Sequence, residues 1–505
     1  MFSLSRYLDI ALAVVAVVLV KAVIARRRQR APYPPGPKGL PIIGNVLQMP
    51  KEQEWVTFAR WGEQYGDIVY LELLGQPMVI LNSAKDAVAL LDKRGTIYSD
   101  RPVLTMGGEL VGWKESVSLL PYGARFREYR KFMAKAIGSK AQVERYLPLV
   151  ERETVRLLQR MLDHPKDVSS NLRKTAAAII LTFSHGYRIR EEGDPLFKVV
   201  HEAVEQFFKA ATPGAFLVDV FPSLRYLPSW FPGTSFKAKA KRWNETLQKM
   251  VDVPHEFVKE QMAINAEIPS FTSELLKTET LEGDKEHNIK WAAASLYSGG
   301  SDTTVAAIHT FILTMMLFPD AQRRAQAEID SVVGNERLPT FADRSSMPFV
   351  EAVYKESLRW HSLGPLGLPH MLKEDDIYKG YLLPRGSIVI PNIGKFLHDP
   401  EMYPNPDVFD PTRFLEADGR LAAHDPRDFI FGFGRRICPG LHLADASVWA
   451  ACAMILAVFD IDKPKGVDVA LTYTSGTLSR PQFECSIQPR SAKARDLITA
   501  SEERA

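Results

Sequence analysis

The sequence predicts a mainly α-helical chain with a minor β part, built as a single large domain preceded by an N-terminal transmembrane helix. Three observations lead there. Helix-period apolar stretches fill most of residues 140–361, only two early segments read as strands, and an uninterrupted apolar run sits near the start. At 505 residues, 46% apolar and 24% charged, the chain can bury a large core and is not disordered as a whole. No Gly/Ser-rich linker, charge block or internal repeat divides it. A net charge of +3 over this length is too small to imply nucleic acid as a partner. Cys438, Cys452 and Cys485 make an odd, sparse set, which argues against a disulfide framework and for a reducing compartment.

The elements follow in order. Residues 8–25 are apolar apart from Asp9 and Lys21. As a helix they reach roughly 25–27 Å at about 1.5 Å per residue, enough to span a bilayer. The run Ile10–Val20 is also the length of a signal-peptide core, but Arg26, Arg27, Arg28 and Arg30 follow it instead of a small-residue cleavage site. Those arginines outnumber Arg6 on the other side, which keeps the body cytosolic and the N-terminus lumenal. Residues 1–30 are thus read as anchor and basic stop, and 31–505 as the catalytic body. Pro32, Pro34-Pro35-Gly36-Pro37 and Pro41 form a stiff hinge at 32–41. Asn244-Glu245-Thr246 is the one N-glycosylation sequon, and a glycan there would contradict a cytosolic body.

Strands are expected at Ile68–Leu74 and Pro77–Leu81 around Gly75-Gln76. Helices are expected at Lys140–His164, Thr234–Ala266, Lys290–Phe318, Asp320–Val333 and Met347–His361, the last stopped by Gly364-Pro365. Short strands with Pro and Gly punctuation occupy roughly 366–395, and a helix resumes after Cys438 with Pro439 in its first turn.

Two stretches carry chemistry. Residues Phe431-Gly432-Phe433-Gly434-Arg435-Arg436-Ile437-Cys438-Pro439-Gly440 set a cysteine at a helix start, beside Arg435 and Arg436, which lowers the cost of a thiolate charge. Gly434 and Gly440 allow backbone to approach a flat cofactor. An isolated cysteine is more often a small buried apolar residue, the reading kept for Cys452 and Cys485. The second stretch is Gly299-Gly300-Ser301-Asp302-Thr303-Thr304, which interrupts the apolar helix 291–318. Each glycine costs about 1 kcal/mol against alanine there, and a buried Asp is costly without a partner. Taken singly, Thr303 could bond back to the Gly299 carbonyl and Asp302 could pair with a neighbouring helix.

With these stretches the chain resembles the cytochrome P-450 superfamily: the first fits its heme-binding pattern F-x-x-G-x-R-x-C-x-G and the second its G-G-x-D-T-T turn. It is similar to the microsomal type, and through Gly299-Gly300-Ser301 and Phe483-Glu484-Cys485-Ser486-Ile487 to fungal O-methylsterigmatocystin oxidoreductase-like members. The resemblance runs from residue 32 to about 490. It implies the cytochrome P-450 fold and heme b, with Cys438 as axial ligand to the iron and Phe431 in the same loop. Gly299 and Gly300 would lie where the helix widens over the heme, Asp302 would relay protons, and Thr303 would hydrogen-bond at the oxygen site. Arg130, Arg436 and His370 would meet the heme propionates. Phe126 stands where the family usually has a tryptophan and cannot donate a hydrogen bond, and an ordinary surface histidine is the other reading of His370.

The resemblance also implies a structural cluster of Glu356 and Arg359 with Arg413, the last from Pro411-Thr412-Arg413-Phe414, where the family usually has Glu at the place of Thr412. Substrate-pocket walls would be Val103–Leu120, Leu296, Pro365–Leu368 and Gly476–Leu478. Trp230-Phe231-Pro232, with Phe216, Phe221 and Leu227, is either core packing or a surface resting on the membrane. Arg125, Arg127, Lys131 and Lys135 form either a solvated face or a dock for an acidic flavin-containing reductase.

The implied protein is a single-pass endoplasmic reticulum enzyme. It takes electrons from NADPH through NADPH–cytochrome P-450 reductase, with cytochrome b5 as a further candidate donor, and inserts one oxygen atom into a lipophilic small molecule of fungal secondary or xenobiotic metabolism. A peroxide-using or rearranging heme-thiolate enzyme is the alternative, which Asp302 and Thr303 oppose. A non-enzymatic heme gas sensor is the third, which the lack of a regulatory module opposes.

Overall fold

The structure is a computed structural model that describes residues 31–502 except 213, 417–421, 465, 467–471, 474–477 and 480. The expected transmembrane helix and its basic stop, residues 1–30, lie outside the described residues, as does Gly476.

The helices of twelve residues or more are α1 Glu54–Tyr65, α2 Ala124–Ile137, α3 Leu147–Asp163, α4 Val168–His185, α5 Pro195–Ala211, α6 Ser235–Ala263, α7 Lys285–Leu317, α8 Pro319–Val332, α9 Pro348–Trp360 and α10 Leu441–Val458. α7 runs through the core and packs against α2, α4, α9 and α10. Its residues are buried on nearly every side, which is why its apolar run shows no one-faced period. α10 has a mean hydropathy of 1.7 and is long enough to cross a bilayer, yet 78% of it is buried inside the fold.

Residue chemistry explains where the elements differ from expectation. The stretch 140–164 is not one helix: a 3-10 turn at Glu144–Tyr146 precedes α3, whose first turn holds Pro148. A proline there has no N–H for the preceding turn and clashes with its carbonyl, so it starts a helix better than it continues one. Helix α10 begins at Leu441 behind the N-cap Gly440, so Pro439 stands before it and not in its first turn.

The first six strands are β1 Ile68–Leu73, β2 Gln76–Leu81, β3 His370–Met371, β4 Asp376–Tyr378, β5 Tyr381–Leu383 and β6 Ile388–Pro391, and short strands at Phe459–Asp462, Thr472–Tyr473, Pro481–Gln482 and Ser486–Pro489 follow. The β1–β2 turn is Leu74-Gly75, both at positive φ, so Gln76 belongs to the strand. One sheet has the order β1-β2-β6-β3. β6 runs parallel to β2 with Met78 opposite Ile388, and β3 pairs antiparallel with His370 opposite Val389. Met78–Leu81 is buried throughout, as befits an inner strand covered on both faces. This sheet carries His370 to the edge of the candidate site.

Candidate functional site

The loop that holds Cys438 is shaped by glycines. Gly434 has φ +51, and a Cβ there would stand 2.5 Å from the Leu91 carbonyl oxygen and 2.8 Å from Asp92 Cα, so only glycine lets the loop lie against that backbone. The Cys438 N–H donates to the Phe431 carbonyl at 2.7 Å, which closes the loop and turns the side chain inward. Burial raises the Cys438 pKa, while the Gly440 N–H donating to the sulfur and the charge of Arg130 lower the cost of the thiolate. The expectation that Arg435 and Arg436 do this is corrected. Arg435 is spent on the Tyr122 hydroxyl and the Thr96 hydroxyl, and Arg436 on backbone carbonyls.

Those carbonyls define a cationic cradle. Arg436 donates to Ser99 O at 2.7 Å, Val117 O at 3.2 Å and Leu120 O at 2.6 Å, and its guanidinium lies 3.9 Å from the centre of the Phe126 ring. Burial pushes its pKa down to about 10. Arg130, on α2, donates to the Ile437 carbonyl at 2.7 Å, and burial lowers it against the charge of Cys438. His370 is 3% exposed, not a surface histidine, and its Nδ1 donates to Tyr98 O at 2.8 Å. Burial, then Arg101 and Arg436, hold it well below the usual histidine range.

Arg101 is the residue that sequence reasoning missed. It reaches Ser118 O at 3.0 Å, Leu368 O at 2.9 Å and Pro369 O at 2.7 Å, and burial followed by Arg436 drives its pKa well down. The dipeptide Arg101-Pro102 is its sole signal in the sequence, and it says nothing of position in space. Among the described residues, no carboxylate lies within ion-pair distance of Arg101, Arg130 or Arg436. Asp100 is the acid whose field reaches Arg101 and Arg436. Buried unpaired cations cost several kcal/mol each, so this cradle calls for anions.

On α7 the two glycines face different ways. A Cβ on Gly299 would meet nothing within 4 Å, whereas one on Gly300 would stand 3.1 Å from Ile180 of α4. Gly300 therefore makes room for helix packing against α4. The Thr303 hydroxyl donates to the Gly299 carbonyl at 2.8 Å. Asp302 is buried and lines a cleft with Arg173 of α4 and His201 of α5. The bland reading of Thr303 thus describes where its side chain rests.

Glu356, Arg359 and Arg413 come together in full burial. Arg359 donates to both Glu356 oxygens at 2.7 and 2.8 Å, and Arg413 Nε reaches Oε1 at 3.1 Å. Thr412 turns to Asp410 at 2.6 Å instead. Of the expected pocket walls, Met106, Leu296 and Pro365 are buried, while Val103 is 66% exposed. Trp230 is 81% exposed and Phe231 and Phe221 are exposed beside it, so these three are not core residues, whereas Phe216 packs against the core and edge to face on Trp243. The basic face of α2 is partly spent: Arg125 pairs with Glu115 and Asp284, and Lys135 with Glu279. Arg127 and Lys131 stay exposed.

Comparison with known proteins matches this arrangement. The family model described as Cytochrome P450 covers residues 34–487. Cytochrome P450 monooxygenase 208 of Postia placenta is 50% identical over 98% of each chain. Cytochrome P450 monooxygenase claR of Ampulloclitocybe clavipes is 47% identical over 97% of this chain and 92% of its own. Tryptamine 4-monooxygenase of Psilocybe cyanescens is 40% identical over 92% of this chain and 94% of its own. The family's heme iron also fits the residues present. A half-buried sulfur faces Arg130, and beyond it stand Arg436, Arg101 and His370 with one nearby acid, a charge demand that the two carboxylates of heme b answer. A thiolate loop, an anion cradle and relatives that cover nearly the whole chain agree, and the protein belongs to the cytochrome P450 family as a monooxygenase.

Proposed function

We propose that the enzyme sits on the endoplasmic reticulum membrane and inserts one atom of dioxygen into a lipophilic small molecule, with electrons that originate in NADPH and arrive through a flavin-containing reductase. The observation that carries this reading is the cluster of arginines beside Cys438, Arg101 and Arg436 buried and Arg130 half-buried, which form no ion pair among the described residues. Bound heme supplies the oxygen-activating redox chemistry, which no side chain of the protein could.

The residues divide the remaining work. Cys438 Sγ is the ligand, and the Gly440 N–H and Arg130 stabilise its charge. Arg130, Arg436 and Arg101 offer donors to the two carboxylates. His370 has its Nδ1 proton on Tyr98 O, so it joins them as a donor once a carboxylate at Nε2 favours its protonation. Thr303 Oγ1 places its own proton on Gly299 O, which leaves its lone pairs to accept from a proton-bearing oxygen. Asp302, at the cleft shared with α4 and α5, carries protons inward from the surface side. Exposed Trp230, Phe231, Phe221 and Tyr226 rest on the bilayer, which favours entry of apolar substrates.

The test begins with the reduced holoenzyme under carbon monoxide. A red-shifted Soret band is expected for the wild type and none for Cys438→Ala. Reconstitution with reductase, NADPH and a lipophilic compound panel should then give oxygenated product. Product formed from added peroxide but never from NADPH would sink the electron-transfer reading.

A further inference from the structure

A second cavity is lined by no residue of the Cys438 loop or its cationic cradle and shares only Pro365 with the expected substrate-pocket walls. Its volume is about 340 Å³, within the range of small-molecule pockets. It is bordered by Trp55 at the start of α1, by Trp360, His361 and Ser362 at the end of α9, and by His398 and Asp407 beyond β6. From these walls we infer that the protein has a heme-remote binding site for a planar organic ammonium ion, an aromatic amine of the size of tryptamine.

The walls are already in place. The Trp360 indole N–H donates to the Asp407 carbonyl at 3.1 Å, and its ring meets Phe318 edge to face. Trp55 is held by its carbonyl, which accepts from Asn392 at 3.0 Å, and by Gly394, where an added Cβ would stand 3.0 Å from the indole. Two fixed indoles suit a flat ring and a cation at its edge.

The polar groups choose the charge. Asp407 has no ion-pair partner among the described residues. Lys395, the nearest lysine to His398 by its field, pairs with Glu63 at 3.8 Å, and Arg359 is bound to Glu356. The Ser362 hydroxyl, 6% exposed as a residue and without a hydrogen bond among the described residues, is sealed behind the cavity wall and repels neither charge. Nδ1 of His398 donates to Gly394 O at 2.9 Å, which leaves Nε2 to accept. Burial lowers His398 and brings His361 to about 4, so both rings are neutral at pH 7 and neither repels a cation. An ammonium group finds two acceptors here, the Asp407 carboxylate and His398 Nε2, and an anion finds a carboxylate.

Equilibrium dialysis of radiolabelled tryptamine tests this on the full-length holoenzyme with a saturating azole on the heme iron. One azole-resistant equivalent is expected, with 3-ethylindole competing weakly and indole-3-acetate not at all. Asp407→Asn, at an exposed position, should weaken tryptamine roughly 3- to 5-fold and leave 3-ethylindole unchanged. Trp360→Leu should weaken both about tenfold. Absence of azole-resistant binding, meaning that the cavity holds water only, would overturn the inference. So would binding that both substitutions leave unaltered. No turnover is measured, so the outcome is independent of the monooxygenase reaction.

Discussion

Arg436 lies flat against Phe126, 3.9 Å from the ring centre, with its donors committed to three backbone carbonyls. Phe126 therefore acts on the cofactor edge through the arginine that it orients. Phe126→Leu keeps most of the volume but forfeits a cation–π contact worth about 0.5–2 kcal/mol. Transfer of heme to an apoprotein scavenger should quicken about tenfold, while far-UV circular dichroism stays unchanged.

His185 makes stability depend on pH. It is buried with Nδ1 2.7 Å from the Ser184 hydroxyl, and burial followed by His255 pushes its pKa down to about 3. In the unfolded chain it titrates near 6.5. Between these values the unfolded state binds the extra proton, so the neutral ring's contribution is complete above about pH 6.5 and is lost as pH falls toward 3. From pH 7 to pH 5 the wild type should lose on the order of 2 kcal/mol more than His185→Gln, read from urea midpoints. Equal losses would mean that His185 is charged in the fold.

The reductase dock should centre on Arg127 and Lys131, the exposed α2 cations that form no ion pair among the described residues. Reversal of both to Glu should raise the reductase concentration for half-maximal turnover about tenfold at low ionic strength, and the gap should close in high salt. Arg125→Gln should change it less, because Arg125 already answers Glu115 and Asp284.

The sequon at Asn244 should stay bare. Its side-chain nitrogen, the atom that a glycan would take, donates to Val111 O at 2.8 Å from within α6. Endoglycosidase treatment of protein from a glycosylating host should leave its mobility unaltered. Asn244→Gln should cost about 1 kcal/mol, read from urea denaturation.

What could be read beforehand follows how local each signal is. The Cys438 loop is one contiguous pattern, α7 announces itself by its long apolar run, and α8 and α9 by period, with prolines at their starts, so all were legible. The split at Glu144 was not, because Pro148 within a strong apolar period looks like a tolerated interruption. The two glycines of α7 are adjacent in sequence, and which of them meets Ile180 depends on how α7 is rotated against α4. Arg101 was invisible for the same reason: its partners lie at Ser118 and at Leu368–Pro369. Partner choice also decided the α2 cations, since Glu115, Glu279 and Asp284 arrive from other elements.

The place of β6 against β2 has a consequence for biosynthesis. Asn82 and Asn392, just past the ends of these strands and hydrogen-bonded to each other, are 310 residues apart. At about 5–20 residues per second, the ribosome takes roughly 15–60 s to deliver the partner of an apolar edge that already exists. A nascent β1–β2 hairpin must be shielded for that interval, so chaperone supply during translation, more than the stability of the finished sheet, should govern how much enzyme a cell accumulates.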